Sequence, residues 1–120
     1  MEHTQGEINR GEKWVCVDIE ATGLDTQRDR IVELSFEIIL EGWRRDNRTF
    51  RVNPGIPIPP AATAIHGITD ADVAGLPPFG SFVPEVDAVI SGAVLVGYNV
   101  KYFDFRILAS EFARHGGRAP

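Results

Sequence analysis

The sequence predicts an α/β domain in which an antiparallel meander of three strands is followed by a helix, a fourth strand and a last helix. Three observations lead to this prediction. Residues 31–40 alternate apolar and polar side chains, as a half-buried strand does. Two short apolar runs, WVCVDI and AVLVGY, are typical of interior strands. Residues 102–115 repeat large apolar side chains at helical spacing and end before Gly116-Gly117.

The first part of the chain predicts the meander. Residues 1–13 are polar, and we expect a loose tail there. Strands at 14–19 and 31–40 follow, and a turn-prone stretch, EGWRRDN, leads to a shorter strand around 49–53. The run IPIPPAA after the turn at 53–55 is expected to be extended rather than helical, because proline removes a backbone donor.

The second part predicts the helices. Thr69 with Asp72 three residues later resembles a capping box and predicts a short helical turn. A firmer helix is predicted from about Ser81 to Ser91, with Ser81 as its cap and Pro84 in its first turn. Residues 93–98 form the fourth strand and 102–115 the last helix. No repeat or linker divides the chain, so we predict one domain.

The composition excludes several classes of protein. The formal net charge of −5 argues against a protein that holds nucleic acid by bulk basicity. The apolar runs fall well short of a membrane span, so no membrane partner is expected. The single cysteine, Cys16, lies in an apolar run and has no internal partner, which predicts a buried thiol in a cytoplasmic protein.

Asp18 and Glu20 stand two residues apart at the end of the first predicted strand. Because successive side chains alternate faces, the two carboxylates project together, roughly 6 to 7 Å apart along the chain. Converging carboxylates repel each other and are costly to desolvate, a conflict that a pair of hard divalent cations such as Mg²⁺ would resolve. The alternative is a strand whose acidic end simply reaches solvent, and the pair alone does not decide between the two.

Three segments, in order along the chain, carry a resemblance to a known family. They are VDIEATGL at 17–24, IHGIT at 65–69 and YNVKYFD at 98–104. Together they resemble the motifs of the DnaQ-like, or DEDD, superfamily of 3′→5′ exonucleases, in the branch of the DNA polymerase III epsilon subunit and RNase T. The resemblance covers roughly residues 15–115 and implies an RNase H-like fold, in which a parallel strand joins the meander and helices flank the mixed sheet.

The resemblance also implies roles for individual residues. Asp18, Glu20 and Asp104 match three of the four acidic ligands of a two-metal site that takes Mg²⁺ or Mn²⁺, and they are the expected catalytic residues. The expected substrate-binding residues are a loop that holds the terminal nucleotide and two further polar side chains: Thr22, Gly23, Leu24, His66 and Asn99. Glu33 matches an acid that supports the site without binding metal.

Several of these residues also have an ordinary structural interpretation. Asp104 is compatible with an acid that stabilises the first turn of a helix, and Asn99 with a helix cap. Leu24 is compatible with a core leucine beside a turn, and His66 with a solvated loop residue. Phe103 is expected in the core.

The sequence departs from the family's pattern in two places. Tyr98 stands where many members carry histidine, and Asn99 precedes Asp104 by five residues instead of four, which leaves the placement of Asn99 open. The third motif, a histidine followed five residues later by an aspartate, is absent from residues 105–120.

The missing motif would supply a general base, the fourth metal ligand, a strand and a closing helix. We therefore expect residues 14–120 to form a partial, C-terminally truncated exonuclease domain with little or no activity of its own. Apolar surface should be exposed at Val94 and Val96 or on the last helix.

The expected function is hydrolysis of phosphodiester bonds from the 3′ end of a nucleic acid, with single-stranded DNA favoured over RNA and a DNA polymerase subunit as a possible partner. The alternative from a different class is a non-catalytic nucleic-acid-binding or polymerase-associated module on the same fold. A third interpretation, an unrelated α/β protein with surface acids, requires all three motif matches to be accidental.

Overall fold

One mixed sheet of four strands runs through the computed structural model, which describes residues 12–97 and 103–115. The elements, in chain order, are β1 (Lys13–Ala21), β2 (Ile31–Leu40), β3 (Arg45–Arg51), α1 (Pro60–His66), α2 (Asp70–Val73), α3 (Val83–Ile90), β4 (Val94–Gly97) and α4 (Phe103–Arg114). Short 3₁₀ turns at Glu41–Trp43 and Phe79–Phe82 precede β3 and α3. Of the predicted tail, only residues 12 and 13 lie within the described residues, and Lys13 already belongs to β1.

The strands lie in the order β3-β2-β1-β4. β1 pairs with β2 and β2 with β3 in antiparallel fashion, and β1 pairs with β4 in parallel. The predicted meander is therefore confirmed, and the fourth strand joins it in parallel, as the resemblance implied. β1 lies in the interior of the sheet, between two hydrogen-bonded neighbours.

The main hydrophobic core lies between one face of the sheet and helices α3 and α4. Val15, Val17 and Ile19 of β1 point into it and are at most 7% exposed. Ile107, Leu108 and Phe112 of α4 close it from the other side. A second, smaller cluster joins α1 and α2 to the beginning of β2: Val32, Ile58, Ala62, Ile68 and Val73.

The opposite face of β1 and β4, here called the open face, carries the side chains that alternate with those of the core. Val94 and Val96 of β4 lie opposite Trp14 and Cys16 of β1, and they are 44% and 37% exposed. The expected exposure of apolar surface on β4 is thus confirmed. Cys16 is only partly buried, contrary to expectation, because the core takes its odd-numbered neighbours.

The strand predicted around 49–53 was placed too late. β3 occupies Arg45–Arg51, because the three-residue turn at Glu41–Trp43 is long enough to reverse the chain. Trp43 takes a left-handed conformation there, with φ of 61°. β3 is an edge strand in which only Phe50 is buried, so the apolar alternation that reveals a half-buried strand is missing from its sequence.

The run IPIPPAA was predicted to be extended, and its last three residues contradict this. α1 begins at Pro60, where the missing N–H of proline costs nothing because no intrahelical acceptor exists for it. Gly67 ends the helix in a left-handed conformation and donates its N–H to the carbonyl of Thr63. The helix matters for the site because it carries His66.

The other predicted helices are confirmed with changed ends. The Thr69–Asp72 capping box is present, with both reciprocal hydrogen bonds. Ser81 does not cap α3, because it lies in the preceding 3₁₀ turn. Pro84 lies in the first turn of α3, as predicted, and has no backbone N–H that would need a hydrogen-bond acceptor there. None of the described helices has the length and apolar character needed to cross a membrane.

Candidate active site

Two carboxylates mark the carboxyl end of β1. Asp18 is exposed and Glu20 is partly buried. Both side chains project from the open face, because the alternating residues Val17 and Ile19 point into the core. Across the antiparallel pair, Asp18 lies opposite Ser35 and Glu20 opposite Glu33. The alternation of the strand therefore brings the predicted acid pair together.

Electrostatic repulsion is built into this pair. Partial burial raises the pKa of Glu20 above its ordinary value, the negative charges of Asp18 and Glu33 raise it further, and His66 opposes the shift. Glu33 is itself neutralised by the guanidinium of Arg51, at 2.9 Å in the salt bridge. The Arg51–Glu33 ion pair limits the negative charge that faces Glu20.

Asp104 lies at the same end of the sheet, on the side covered by helices. Its Oδ2 is 3.6 Å from the position that a Cβ on Gly97 would occupy. Gly97 is the register partner of Val17, the residue before Asp18. Asp104 is 6% exposed, so the third carboxylate reaches the strand end from the core side while the acid pair reaches it from the open face.

The donor chemistry of these residues fits a hard divalent cation, because three carboxylates supply oxygen ligands. Among the described residues, no lysine or arginine forms an ion pair with either carboxylate of β1. Within residues 12–97 and 103–115, however, no group of three or more His, Cys, Asp or Glu side chains is gathered closely enough to hold a metal ion. The structure thus presents an acid pair with a third acid nearby, not a preformed ligand cluster.

The loop after β1 is closed by its own hydrogen bonds. Thr22 Oγ1 donates to Asp29 Oδ1 at 2.8 Å and accepts from the backbone N–H of Arg30 at 3.0 Å. The backbone N–H of Thr22 donates to the carbonyl of Arg30, and that of Asp25 to Asp29 Oδ2. Thr22 is 2% exposed, so its hydroxyl serves as the internal clasp of the loop.

Gly23 is required by the same arrangement. A Cβ at this position would lie 2.8 Å from the carboxyl carbon of Asp29, closer than packed atoms approach. Leu24, the next residue, is 81% exposed, so the alternative of a core leucine is wrong. The loop therefore holds an apolar side chain out in solvent while its backbone stays fixed.

An apolar slot of about 300 Å³ lies between this loop and α1, beside Glu20. Leu24 and Ile65, 81% and 84% exposed, stand among its lining residues, and Phe103 brings the beginning of α4 into the same wall. Phe103 is partly buried, so it packs against the core and lines the slot at once. The remaining lining residues come from the end of β1, the loop and α1: Ile19, Glu20, Ala21, Thr22, Gly23, Pro59, Ala61, Ala62 and His66.

His66 joins the two walls of the slot. Its Nδ1 accepts the backbone N–H of Ile68 at 3.1 Å, which leaves Nε2 to donate to the carbonyl of Ala21 at 3.2 Å. The side chain is partly buried at the end of α1 and held at both ring nitrogens, so the interpretation as a freely solvated loop histidine is wrong. Asn99 lies outside the described residues.

Sequence reasoning missed two residues that shape the site. Asp29 holds Thr22 and excludes a side chain at Gly23, and Arg51 offsets Glu33. Both act across gaps in sequence of 7 and 18 residues. For Asp29, the only local signal in the sequence was its turn-forming spacing from Asp25. The contact of Arg51 with Glu33 depends on the register of β2 and β3.

Comparison with known proteins bears directly on this arrangement. The model of a protein family described as "Exonuclease" matches residues 15–120 of the chain. The chain belongs to the DnaQ-like exonuclease superfamily. That match spans β1 with its acid pair and α4 with Asp104, so the two described motifs and the family assignment refer to the same part of the molecule.

Relatives of this superfamily member include DNA polymerase III proteins much longer than this chain. A DNA polymerase III subunit epsilon-like protein of Rhodobacter capsulatus is 42% identical over 98 residues, which cover 79% of this chain and 14% of that protein. A PolC-type DNA polymerase III of Pediococcus pentosaceus is 30% identical over 107 residues, 89% of this chain and 7% of that protein. The chain thus spans a small fraction of the curated relatives it matches.

Solved structures bear out the fold of this exonuclease-family chain. E. coli exonuclease I in complex with a dT13 oligonucleotide matches with a TM-score of 0.79 and 18% sequence identity, over 90% of this chain and 25% of that one. The RNase H-like mixed sheet with flanking helices, implied by the resemblance, is confirmed.

Replacing Gly23 with alanine tests the close approach of Asp29. The added Cβ must displace the carboxylate that clasps Thr22, so we expect Gly23→Ala to lower the free energy of unfolding by about 1–3 kcal/mol, the range for overpacking at a well-packed position. Gly75→Ala is the matched control, since a Cβ there meets nothing within 4 Å. Urea denaturation measures both, and equal effects of the two substitutions would contradict the required glycine.

Proposed function

We propose that this chain is the core of a metal-dependent 3′→5′ exonuclease domain that binds the 3′ end of a nucleic acid and hydrolyses its terminal phosphodiester bond. The observation that carries the proposal is the position of the slot: an apolar cavity of about 300 Å³ opens directly beside Glu20 of the acid pair. A terminal nucleotide would match this arrangement, because its base has an apolar face that suits the cavity and its phosphate would lie beside the carboxylates.

The slot and the loop have the task of holding the terminal nucleotide. Leu24 and Ile65 offer exposed apolar side chains against which a base can stack or wedge, and such contacts do not depend on base identity. The glycine at position 23 leaves the backbone of the loop accessible to the sugar or phosphate. His66, fixed by its two hydrogen bonds, keeps α1 at a set distance from β1 and thereby sets the width of the slot.

Asp18, Glu20 and Asp104 would hold Mg²⁺ or Mn²⁺ in this proposal. When bound, such ions activate water and stabilise the leaving oxygen in phosphodiester hydrolysis. The raised pKa of Glu20 is consistent with this role, because a carboxylate crowded by Asp18 and Glu33 gains more from a nearby cation than an isolated one does. At the strand end the two faces of the sheet meet, so Asp104 can approach the same ion from the core side.

Single-stranded DNA is the proposed substrate. Its basis is similarity: the epsilon-like and PolC-type relatives are named as DNA polymerase III proteins, and exonuclease I was crystallised with a DNA oligonucleotide. By the same similarity we propose association with a DNA polymerase subunit and a cytoplasmic location.

Binding of Mn²⁺ separates the enzyme from a non-catalytic module on the same fold. We expect Mn²⁺ to raise the melting temperature, and Asp18→Asn, Glu20→Gln and Asp104→Asn each to lose most of that shift, because a ligand that binds only the folded state stabilises it. Asp87→Asn on the exposed side of α3 is the matched control and should retain the full shift. A shift that survives all three site substitutions would place the metal elsewhere and refute this ligand set.

Hydrolysis by the 120-residue chain alone should be slow. These residues include no His-x-x-x-x-Asp after Asp104, and a positioned general base contributes about 10²- to 10⁴-fold to such reactions. Incubation of a 5′-labelled single-stranded oligonucleotide with Mg²⁺ or Mn²⁺ should therefore give little stepwise shortening. Rapid shortening that is lost in Asp18→Ala would show that a third-motif histidine is dispensable here, while the exonuclease assignment would stand.

Leu24 provides the test of end recognition. Because it is 81% exposed, Leu24→Ala should leave the free energy of unfolding within about 0.5 kcal/mol of the unsubstituted chain. Loss of one apolar contact to a base should weaken binding of a fluorescent oligo-dT by roughly 5- to 150-fold, the equivalent of about 1–3 kcal/mol of apolar burial. Fluorescence anisotropy measures this, with a 3′-phosphorylated oligonucleotide and an oligo-rU of equal length as comparisons.

Binding of the two comparison oligonucleotides distinguishes the alternative substrates and functions. Equal binding of the 3′-hydroxyl and 3′-phosphate oligonucleotides would contradict recognition of a free end, and stronger binding of oligo-rU would replace DNA by RNA as substrate. Oligonucleotide binding without any Mn²⁺ response would favour the non-catalytic nucleic-acid-binding module.

A further inference from the structure

Glu111 is a carboxylate buried in the hydrophobic core. It lies on α4, seven residues after Asp104, and it is only 2% exposed. Its neighbours on the helix, Ile107, Leu108 and Phe112, are all buried apolar residues. A charged group in such a position is costly unless it is paired and hydrogen-bonded, and an apolar residue often serves stability as well or better. The contacts of Glu111 therefore indicate what it does.

These contacts lead from α4 to the loop after β1. Glu111 Oε2 accepts the backbone N–H of Ile31, the first residue of β2, at 2.9 Å. Glu111 Oε1 accepts from Arg114 one turn later, and a second nitrogen of the same guanidinium donates to the backbone carbonyl of Gln27 at 3.1 Å. Two side chains of one helix thus contact the loop at Gln27 and the beginning of β2, directly after the loop, at Ile31.

The part of the loop that α4 contacts also contacts the residues that line the slot. Arg30, directly before Ile31, and Asp29 are the residues that clasp Thr22 and lie against Gly23. α4 thus supports the returning half of the loop through contacts at Gln27 and Ile31.

We propose that Glu111 and Arg114 are positioning residues that hold the loop at 22–30 in the conformation that receives the 3′-terminal nucleotide. The inference rests on the proposed function. Because Asp104 stands on the first turn of the same helix, roughly 10 Å from Glu111 along the axis, α4 sets one carboxylate of the acid site and the substrate loop in a fixed relation.

The guanidinium geometry makes Arg114 the better residue to test. Its planar fork binds Glu111 and Gln27 with different nitrogens, whereas the ammonium of lysine is a point charge on a flexible stem. Arg114→Lys keeps the positive charge beside the buried carboxylate and removes the fork. The side chain is 23% exposed, so the substitution is made at a partly exposed position and not in the core. Arg48→Lys, at a surface ion pair on β3, is the matched control.

The experiment compares three quantities in the 120-residue chain, Arg114→Lys and Arg48→Lys. Amide hydrogen exchange at Asp29 and Ile31 reports the order of the loop, anisotropy with 5′-labelled oligo-dT in Ca²⁺ reports end binding, and the Mn²⁺ melting shift reports the acid site. In Arg114→Lys we expect exchange and the dissociation constant each to rise roughly tenfold, the size of one hydrogen bond to a charged group. The Mn²⁺ shift should be unchanged, and Arg48→Lys should change none of the three.

A second variant guards against a change in the fold. Glu111→Gln keeps an oxygen acceptor for the N–H of Ile31 but no longer attracts Arg114, so it should raise exchange at Asp29 more than at Ile31. Faster exchange at both residues in equal measure, with loss of the Mn²⁺ shift, would indicate a purely structural residue and overturn the inference.

The remaining outcomes separate the inference from the function on which it rests. Unchanged loop exchange in both variants would refute the tether, and faster exchange with an unchanged dissociation constant would refute its role in end binding. An unsubstituted chain that binds no oligonucleotide would refute the proposed function and, with it, the inference.

Discussion

The pairing of β1 on both of its edges is the constraint on which the rest of this structure depends. β1 is hydrogen-bonded to β2 on one side and to β4 on the other, so its register with each neighbour is fixed. A slip by one residue would move Val15, Val17 and Ile19 out of the core and drive Asp18 and Glu20 into it. The hydrophobic effect therefore holds the carboxylates at the surface, and the site inherits its precision from the core behind it.

The features that could be predicted from the sequence are those with a local cause. Strand β2 was predicted over its full length because alternation marks a half-buried strand, and the Thr69–Asp72 capping box because its partners are three residues apart. β3 was misplaced because an edge strand exposed on both faces carries no such signal. The beginning of α1 was missed because Pro59 and Pro60 favoured an extended prediction, although proline is well suited to the first position of a helix.

In the candidate site, too, the residues with a local cause were predicted and those placed by long-range contacts were not. Asp18, Glu20 and the Thr22–Leu24 loop are neighbours in sequence, and the structure brings them together at one strand end. The residues that shape their surroundings come from far along the chain: His66 contacts Ala21 across 45 residues and Glu111 contacts Ile31 across 80. Such contacts depend on strand register and helix docking, which no local pattern encodes. The positions of chemical groups were therefore readable in the sequence, and their support was not.

An acidic protein that acts on a polyanion must overcome repulsion at the point of contact. With a net charge of −5 and a crowded acid pair, this chain gains nothing from long-range attraction of a phosphate backbone. Under the proposed function, the slot would remove part of this difficulty, because apolar contact of a base with Leu24 and Ile65 is indifferent to charge. Bound divalent cations would answer the rest by reversing the sign of the field where the terminal phosphate lies. Binding of the metal and binding of the strand end are then coupled, because each removes a penalty that the other would otherwise meet.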